Sequence, residues 1–394
     1  MFTFIENEKS AKIKVVGVGG AGGNAVNNMI EAGLAGVKFI CINTDAQALE
    51  NSKAPYKLQL GETLTEGLGA GANPSIGRSA AMDSRDELRE LLKDSHMVFI
   101  TAGLGGGTGT GAAPVVAEVC QELGLLTVSV VTRPFKFEGK KRERTATEGL
   151  QELRRNSDTV ITISNDRLKG ISSKTTRMVD AFKKADDVLL NSVRGITDLI
   201  LMPGLINLDF ADVRTAMSKA GMAIMGIGVA SGENRAIEAA ERAISHPLLE
   251  DVEIAGAKGV LLNITCTEET TLDEMFEASE RIQEEVGDDA EIIFGTAIDN
   301  SLGDEIRITV IATGINDNTT VVNDPWGEKK RGVFDTERET IPKIKVVGNP
   351  VFDEPELGSL VRPPYTPTHR GTINEDGTLS EAYDIPTFLR KKAD

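Results

Sequence analysis

The sequence predicts an α/β fold: a doubly wound parallel sheet, then a long central helix and a smaller α+β domain. Two observations lead to this prediction. Apolar, strand-like runs alternate with helical patterns from Lys12 to about Ser173, which is typical of a parallel sheet covered by helices on both faces. Two glycine-rich loops each follow one of these runs, at the strand ends where such folds bind their ligands.

The first glycine loop follows the predicted strand Ile13–Val18 and reads Gly-Val-Gly-Gly-Ala-Gly-Gly over residues 17–23. A helix is predicted from Asn24. Three of the glycines have the spacing of a dinucleotide-binding fingerprint. Asn43-Thr44-Asp45, after the next strand, only loosely supplies the ribose-binding acid of that fingerprint. Neither glycine loop ends in Gly-Lys-Ser/Thr, which excludes a Walker-type NTPase.

The second glycine loop, residues 103–111, has six glycines in nine positions. It lies between the predicted strand Met97–Thr101 and a helical pattern that begins at Ala112. Such a loop lets successive N–H groups converge on an anion, and the following helix adds its positive end. A tight turn needs only one or two glycines. Two such loops therefore predict one mononucleotide polyphosphate held from two sides.

The remaining elements complete both parts of the fold. The sheet gains the strands Phe39–Asn43, Thr127–Val131 and Thr159–Ser164. A helix over 175–201, ended by Pro203-Gly204, has apolar residues at three- and four-residue spacing, which predicts a buried stripe. The members of the stripe are Met178, Phe182, Ala185, Leu189, Val193, Ile196 and Ile200. The second domain is predicted to contain the helix Leu272–Val286 and the strands Val260–Thr265, Glu291–Ala297 and Glu305–Thr313.

The predicted domain boundaries follow from these patterns. Residues 1–174 form the nucleotide-binding domain, 175–202 the central helix and 203–316 the second domain. Eight of the 14 prolines lie from Pro325 onward, so 317–381 is predicted to be a flexible linker. Residues 382–394 are predicted to be a docking peptide, because Ile385, Phe388 and Leu389 share one side and a basic run follows.

Composition excludes several classes of protein. The formal net charge of −17 opposes nucleic-acid binding. The three cysteines and three histidines are scattered, so no disulfide framework and no metal site of the protein's own is predicted. Residues 1–10 lack a signal pattern, and no apolar run approaches membrane-spanning length. We therefore expect a cytoplasmic protein without direct membrane insertion.

Six motifs resemble the tubulin superfamily, and within it the FtsZ family of bacterial cell division. In chain order, they are the first glycine loop, Asn43–Asp45, Ala70–Ala72, the second glycine loop, Asn207–Asp212, and the tail Asp384–Arg390. The resemblance implies GTP and GDP as ligands, Mg²⁺ between the terminal phosphates, and GTP hydrolysis. It also implies filaments of the chain itself at the mid-cell division site.

The resemblance assigns nucleotide contacts residue by residue. The α- and β-phosphates are expected at Gly20, Ala21, Gly22 and Gly23, with Asn24 near the base or sugar. The second loop contributes Gly105, Gly106, Gly107, Thr108 and Gly109. The γ-phosphate side is expected at Thr44, Asp45, Ala70, Gly71 and Ala72. The glycine-rich stretch Gly61–Gly77 is expected to be either a mobile, nucleotide-sensing loop or simply a long surface loop. The ribose and phosphate region is expected at Glu138 and Arg142, and guanine at Asn165 and Asp186.

Two of these assignments have simpler alternatives. Arg142 lies in a run of basic residues that solvation alone explains. Asp186 follows Lys183 and Lys184, so a solvated helix carboxylate is the interpretation that the sequence by itself favours.

The catalytic assignment is Asn207, Asp209 and Asp212. The two aspartates are three positions apart and share a face if a helix begins there. Acids in a first helical turn also cap the helix and stabilise its dipole, which is the structural alternative. The resemblance implies that these residues polarise the water that attacks the nucleotide of the next subunit. Head-to-tail contacts of that kind propagate into filaments.

The tail is expected to bind membrane-tethering division proteins. The residues assigned to this contact are Ile385, Pro386, Phe388, Leu389 and Arg390. Three other functions stay open: a nicotinamide-dependent oxidoreductase, a tubulin-like filament for DNA segregation or cell shape, and a nucleotide-bound scaffold without turnover. The tail peptide argues against the second, and the intact aspartate pair argues against the third.

Overall fold

A computed structural model of the chain describes residues 11–169, 177–202, 204–206, 208–218, 220–249, 254, 256–287 and 290–314. The strands there are β1 Ile13–Val18, β2 Val37–Asn43, β3 Tyr56–Gln59, β4 Met97–Gly103, β5 Leu126–Arg133, β6 Thr159–Ser164, β7 Gly221–Ser231, β8 Gly259–Cys266, β9 Glu291–Ile298 and β10 Glu305–Thr313. The helices are α1 Gly19–Glu31, α2 Ala46–Glu50, α3 Glu62–Thr65, α4 Pro74–Asp83, α5 Arg85–Leu92, α6 Thr108–Glu122, α7 Lys140–Asn156, α8 Met178–Leu201, α9 Phe210–Met217, α10 Arg235–Ile244 and α11 Leu272–Val286.

The strands form a continuous sheet in the order β3-β2-β1-β4-β5-β6-β7-β10-β8-β9. Neighbours from β3 to β7 are parallel, whereas β10 runs antiparallel to both β7 and β8. In the registers of β1, Val18 pairs with Ile42 on one side and with Ala102 on the other. The carboxyl ends of β1 and β4 therefore meet at one edge of the sheet.

Helices cover both faces of the parallel strands. Apolar side chains of α1, α8 and α9 pack on one face, and those of α4, α5, α6 and α7 pack on the other. All six residues of β1 are buried, as expected for a strand covered on both sides. The predicted doubly wound fold is confirmed.

The long helix α8 joins the two parts of the fold. Its buried residues share one core cluster with Ala223, Leu261 and Ile311 of the later strands. The predicted stripe is wrong at its first two members, since Met178 is 61% and Phe182 41% exposed. These two residues lie near the helix's amino end, beyond the part that packs on the sheet.

The later domain is an α+β unit with α10 and α11 packed over β7 to β10. The predicted strands and α11 are confirmed to within one residue at each end, but β7 and α10 were not predicted. β7 contains Gly226 and Gly228, which weaken the strand pattern. Glycine is required at both positions, because an added Cβ would lie 2.0 Å from a carbonyl oxygen of α10 at Gly226 and 1.8 Å from another at Gly228.

Three boundaries near the glycine loops differ from prediction. α1 begins at Gly19 rather than Asn24, and α6 begins at Thr108 rather than Ala112. Glycine inside the start of α1 permits close packing: a Cβ on Gly22 would lie 2.3 Å from the Thr101 carbonyl oxygen of β4. The predicted loop over 61–77 contains α3 and the first turn of α4, which Asn73 caps.

No helix in the ranges given above is both long and apolar enough to cross a membrane. The three cysteines are free and buried. The predicted linker and tail lie outside the described residues.

Candidate functional site

A cavity of about 370 Å³ opens where β1, β4 and β5 end and α1, α6 and α8 begin. Eleven of the predicted nucleotide-binding residues line it: Gly20, Ala21, Asn24, Gly106, Gly107, Thr108, Gly109, Glu138, Arg142, Asn165 and Asp186. Both glycine loops thus contribute to one cavity, as the sequence analysis predicted.

The cavity lies at the amino ends of two helices. Neither α1 nor α6 has a side-chain cap, and neither has an acidic residue in its first turn. The first N–H groups of a helix have no partner within the helix, and they carry its positive partial charge. Together the two helix ends make a site suited to an anion with several phosphate groups.

Three glycines of these loops serve packing. A Cβ on Gly107 would lie 2.9 Å from the Ala70 side chain, and one on Gly109 would lie 2.5 Å from the Gly103 carbonyl oxygen. Gly22 and Gly23 lie behind the cavity, against β4 and Cys41, and do not line it. Gly22 therefore acts by bringing α1 close to the sheet.

The residues predicted at the γ-phosphate do not line the cavity. The Thr44 hydroxyl is 2.7 Å from the hydroxyl of Thr108, which lines the cavity. The Asp45 carboxylate accepts the N–H groups of Gln47 and Ala48 and so caps α2. Ala70, Gly71 and Ala72 also lie outside the cavity wall, and Gly71 and Ala72 have left-handed backbone with φ of 57° and 58°.

The opposite end of the cavity is shaped by Glu138 and Arg142, which form an ion pair. Glu138 also accepts the Phe135 N–H at 2.9 Å. The Phe182 ring meets Phe135 edge-on at 5.4 Å and forms part of the wall. Thr132 and Pro134 line the cavity too and were not predicted, although their position at the carboxyl end of a parallel strand is the signal that marks them.

The environment of Asn165 indicates that the cavity suits a ligand with hydrogen-bond donors. Its side chain is 5% exposed, it lines the cavity, and its Oδ1 has no hydrogen-bond partner. A buried carbonyl oxygen without a donor is costly. A guanine amino group would supply that donor, whereas the corresponding position of adenine carries none.

Asp186 is half-buried in the cavity wall. Burial, and to a lesser extent the neighbouring charge of Asp187, raise its pKa to about 7. Its half-buried position in the cavity wall argues against the alternative of a freely solvated carboxylate beside two lysines. Guanine's N1–H and amino group both require acceptors, so guanine would bind the ionised form of Asp186.

GTP affinity is expected to fall as the pH drops below about 7. The pKa of Asp186 is raised in the free protein, so acidification protonates the carboxylate that guanine needs, and affinity should fall by up to about tenfold per pH unit. Above that pH the affinity should level off. Equilibrium binding of labelled GTP across this range measures the effect.

The matched control is Asp186→Asn. Because the phosphates of GTP also titrate near neutral pH, only the difference between the two proteins reports on Asp186. The variant should bind more weakly than the parent at alkaline pH and show a shallower profile. Parallel profiles for the two proteins would contradict the assignment.

Asp209 and Asp212 lie away from this cavity. Asp209 is the N-cap of α9 and accepts the Asp212 N–H at 2.9 Å, while the Asp212 carboxylate accepts the Asp209 N–H. The capping role is thus confirmed, and both side chains are exposed. Val213 and Met217, on the other side of the helix, are buried. Asn207 lies outside the described residues.

The position of this pair is fixed by Phe210, whose ring lies 6.0 Å from that of His96. His96 immediately precedes β4, whereas Gly103 ends β4 in the cavity wall. At about 3.3 Å per residue, β4 separates the two ends by about 20 Å. The aspartate pair therefore lies at the end of the sheet opposite the cavity of the same chain.

The described residues contain no group of three His, Cys, Asp or Glu side chains placed to hold a metal ion.

Comparison with known proteins agrees with this geometry. A family model described as the GTPase domain of the Tubulin/FtsZ family matches residues 12–173, and one described as the C-terminal domain of the FtsZ family matches residues 221–316. The chain is 48% identical to the cell division protein FtsZ of Pseudomonas putida over the whole length of both. It is 55% identical to that of Coxiella burnetii, over 78% of this chain and 80% of the relative.

Solved structures give the same result. An empty FtsZ dimer from M. jannaschii matches with a TM-score of 0.75 and 47% identity, over 78% of this chain and 89% of the other. CetZ2 from Haloferax volcanii, solved as a GTPγS-bound protofilament, shares the fold with a TM-score of 0.66 and 20% identity, over 78% of this chain and 94% of the other. With both domains matched in order and relatives near half identity, the chain belongs to the FtsZ family of cell-division GTPases.

Proposed function

We propose that this GTPase hydrolyses GTP at a site completed by a second copy of the chain, stacked head to tail on the first. Membership of the family makes the chain a GTP-binding and GTP-hydrolysing protein of cell-division filaments. It excludes the oxidoreductase, the DNA-segregation filament and the inactive scaffold. The observation that supports a shared site is the separation of about one strand length between the cavity and the aspartate pair.

Apolar surface at both ends of the sheet supports the head-to-tail stacking of two copies. Beside the aspartate pair lies an apolar groove of about 470 Å³, lined by Leu205, Ile206, Leu272, Met275, Phe276, Ser279, Phe294 and Thr296. Beside the cavity, Phe137 is 59% exposed and stacks on Phe135. Two different apolar surfaces at opposite ends favour a heterologous contact, which extends into a filament.

In the proposed joint, the exposed Asp209 and Asp212 carboxylates face the γ-phosphate held by the neighbouring copy. There they orient and polarise the attacking water, while the amides of the glycine loops hold the phosphates. Mg²⁺ would be held mainly by phosphate oxygens and water, and the hydroxyls of Thr108 and its partner Thr44 are the protein oxygens beside that site. The ion would neutralise charge on the terminal phosphates.

Turnover per molecule is expected to rise with protein concentration. Each active site needs two copies, so dilution should separate the aspartate pair from the nucleotide. Phosphate release is measured over a dilution series at saturating GTP. Specific activity that stays constant down to the lowest concentration would rule out a shared site.

The filaments are proposed to lie in the cytoplasm at the mid-cell division site, held there by the tail. The segment Ile385–Lys392 combines apolar anchors with basic residues, as in peptides that dock into apolar grooves. Its partners in this proposal are membrane-tethering division proteins.

A chain truncated after Glu381 is expected to bind GTP and to form filaments, because both folded domains remain. It should no longer sediment with vesicles that carry a tethering protein, and Phe388→Ala in the full chain should reproduce most of that loss. Thr387→Ala, on the neighbouring position, serves as the control. Truncated filaments that still sediment with the vesicles would show that the tail is not the docking segment.

A further inference from the structure

His96 occupies a defined position at the amino end of β4. Its main-chain N–H donates to the Lys12 carbonyl oxygen at 2.8 Å, and its Nδ1 accepts the Lys12 N–H at 3.0 Å. The imidazole itself is therefore held by one hydrogen bond, from the residue just before β1, and the main-chain bond fixes the backbone beneath it. With Nδ1 as acceptor, the neutral ring carries its proton on Nε2. This pairing fixes the ring of an otherwise exposed side chain.

The fixed ring packs against the first residue of α9. The centroids of His96 and Phe210 are 6.0 Å apart with the ring planes tilted by 44°, within the range of favourable aromatic contacts. Phe210 lies between Asp209 and Asp212 in sequence, and the carboxylate of each aspartate accepts the main-chain N–H of the other. A shift of Phe210 would therefore move both carboxylates together.

Val213, in the first turn of α9, and Met217 are buried in the core, and the partly buried Phe210 packs against the same cluster. Two hydrogen bonds hold the body of the helix. Arg214 donates to the Gly124 carbonyl oxygen at 3.1 Å, and the Thr159 hydroxyl donates to the Met217 carbonyl oxygen at 2.6 Å. These contacts keep the helix on the sheet, but they lie one or two turns from the aspartates. The ring pair is the aromatic contact at the start of the helix.

We infer that His96 is a positioning residue for GTP hydrolysis: its ring, set by Lys12, holds Phe210 and so aims the Asp209–Asp212 pair at the water of the neighbouring copy. The inference rests on the proposed role of that pair. Small misplacements of groups that orient a reactant cost large factors in rate. Since His96 lies about 20 Å from the nucleotide of its own chain, its loss should affect the rate of hydrolysis and leave GTP binding intact.

Two substitutions separate the roles of the side chain. His96→Asn keeps an acceptor for the Lys12 N–H and removes the ring, whereas His96→Phe keeps a ring and removes the acceptor. We expect His96→Asn to lower kcat by about tenfold at unchanged KM for GTP, and His96→Phe to stay within about threefold of the parent. Phe210→Leu removes the other ring and should match His96→Asn. Asp94→Asn, on the same edge, is the control and should have no effect.

A double-mutant cycle distinguishes positioning from general damage. His96→Asn should lower kcat no further in the Asp212→Asn background, because its effect passes through that pair. Additive losses would overturn the inference. So would a fall in GTP affinity, or equal losses for His96→Phe and His96→Asn. If the His96→Asn variant does not fold, the same double-mutant cycle is measured with Phe210→Leu and Asp212→Asn.

The inference and the proposed function fail in different ways. If Asp212→Asn retains normal turnover, the shared catalytic site is wrong, and the role of His96 falls with it. If Asp212→Asn abolishes turnover while His96→Asn and Phe210→Leu have the parent's kcat, only the positioning role is wrong. Sedimentation of the assembled protein in each assay separates loss of chemistry from loss of filaments.

Discussion

Asp212→Asn is expected to retain GTP binding and to lose turnover by at least about a hundredfold. Removing a group that orients or activates water typically has an effect of that size. The substitution leaves the cap of α9 in place, because the Asn side-chain oxygen can still accept the Asp209 N–H that the carboxylate now accepts. The nucleotide cavity lies at the other end of the sheet and is untouched.

Phosphate release and GTP binding are measured on the same preparations, with sedimentation to check assembly. Asp86→Asn is the matched control, since Asp86 is another exposed acid in a first helical turn, at α5. Its turnover should equal that of the parent. Near-normal turnover in Asp212→Asn would mean that the aspartate pair serves only to cap α9.

The sequence predicted this helix start in two ways, as a cap and as a catalytic pair. The structure confirms the cap, and the two interpretations are compatible, because capping uses one carboxylate oxygen of each residue toward the main chain. The other carboxylate oxygen of each aspartate is free of the main chain, and both residues are exposed at that end of the sheet. Sequence alone could not locate the pair relative to the cavity, because the contact between His96 and Phe210 spans 114 positions in the chain.

Elements with an uninterrupted apolar pattern were the predictable ones. β1 was predicted to the residue, because parallel strands buried on both faces consist almost wholly of apolar residues. β6 was also predicted to the residue, because five of its six residues are β-branched, which is typical of strands. Glycine obscured others. β7 has a weak strand signal because α10 lies directly on Gly226 and Gly228. Likewise the start of α1 looks like loop, because tight packing on β4 requires glycine at helical positions.

The environment of a side chain was the least predictable property of the site. Asp186 follows two lysines in sequence, which suggested a solvated carboxylate, yet burial in the cavity wall raises its pKa to about 7. Phe182 fitted a buried helical stripe but lies partly exposed in the cavity wall. Both properties depend on which other elements approach α8, and local spacing carries no information about that.

Gly105→Ser is expected to weaken GTP binding by at least about a hundredfold. Gly105 does not line the cavity, and its N–H donates to the Thr110 hydroxyl at 2.9 Å rather than to a ligand. Its φ of 100° is strained for any residue with a side chain. An added Cβ would also lie 2.9 Å from the Arg142 carbonyl oxygen and 3.2 Å from Pro134. The substitution should therefore displace two cavity walls at once, the glycine loop and the start of α7.

The control must separate strain in the backbone from damage to the cavity. Gly232→Ser provides it, because Gly232 has a φ of 99°, has no atom within 4 Å of an added Cβ, and lies in the later domain. Both variants carry the strain of a left-handed backbone, but only Gly105→Ser places its side chain against Arg142. Equilibrium dialysis with GTP should show normal affinity for Gly232→Ser and a large loss for Gly105→Ser, with thermal unfolding confirming that both are folded. Equal affinities for the two variants would mean that the loop tolerates displacement and that the phosphates are held elsewhere.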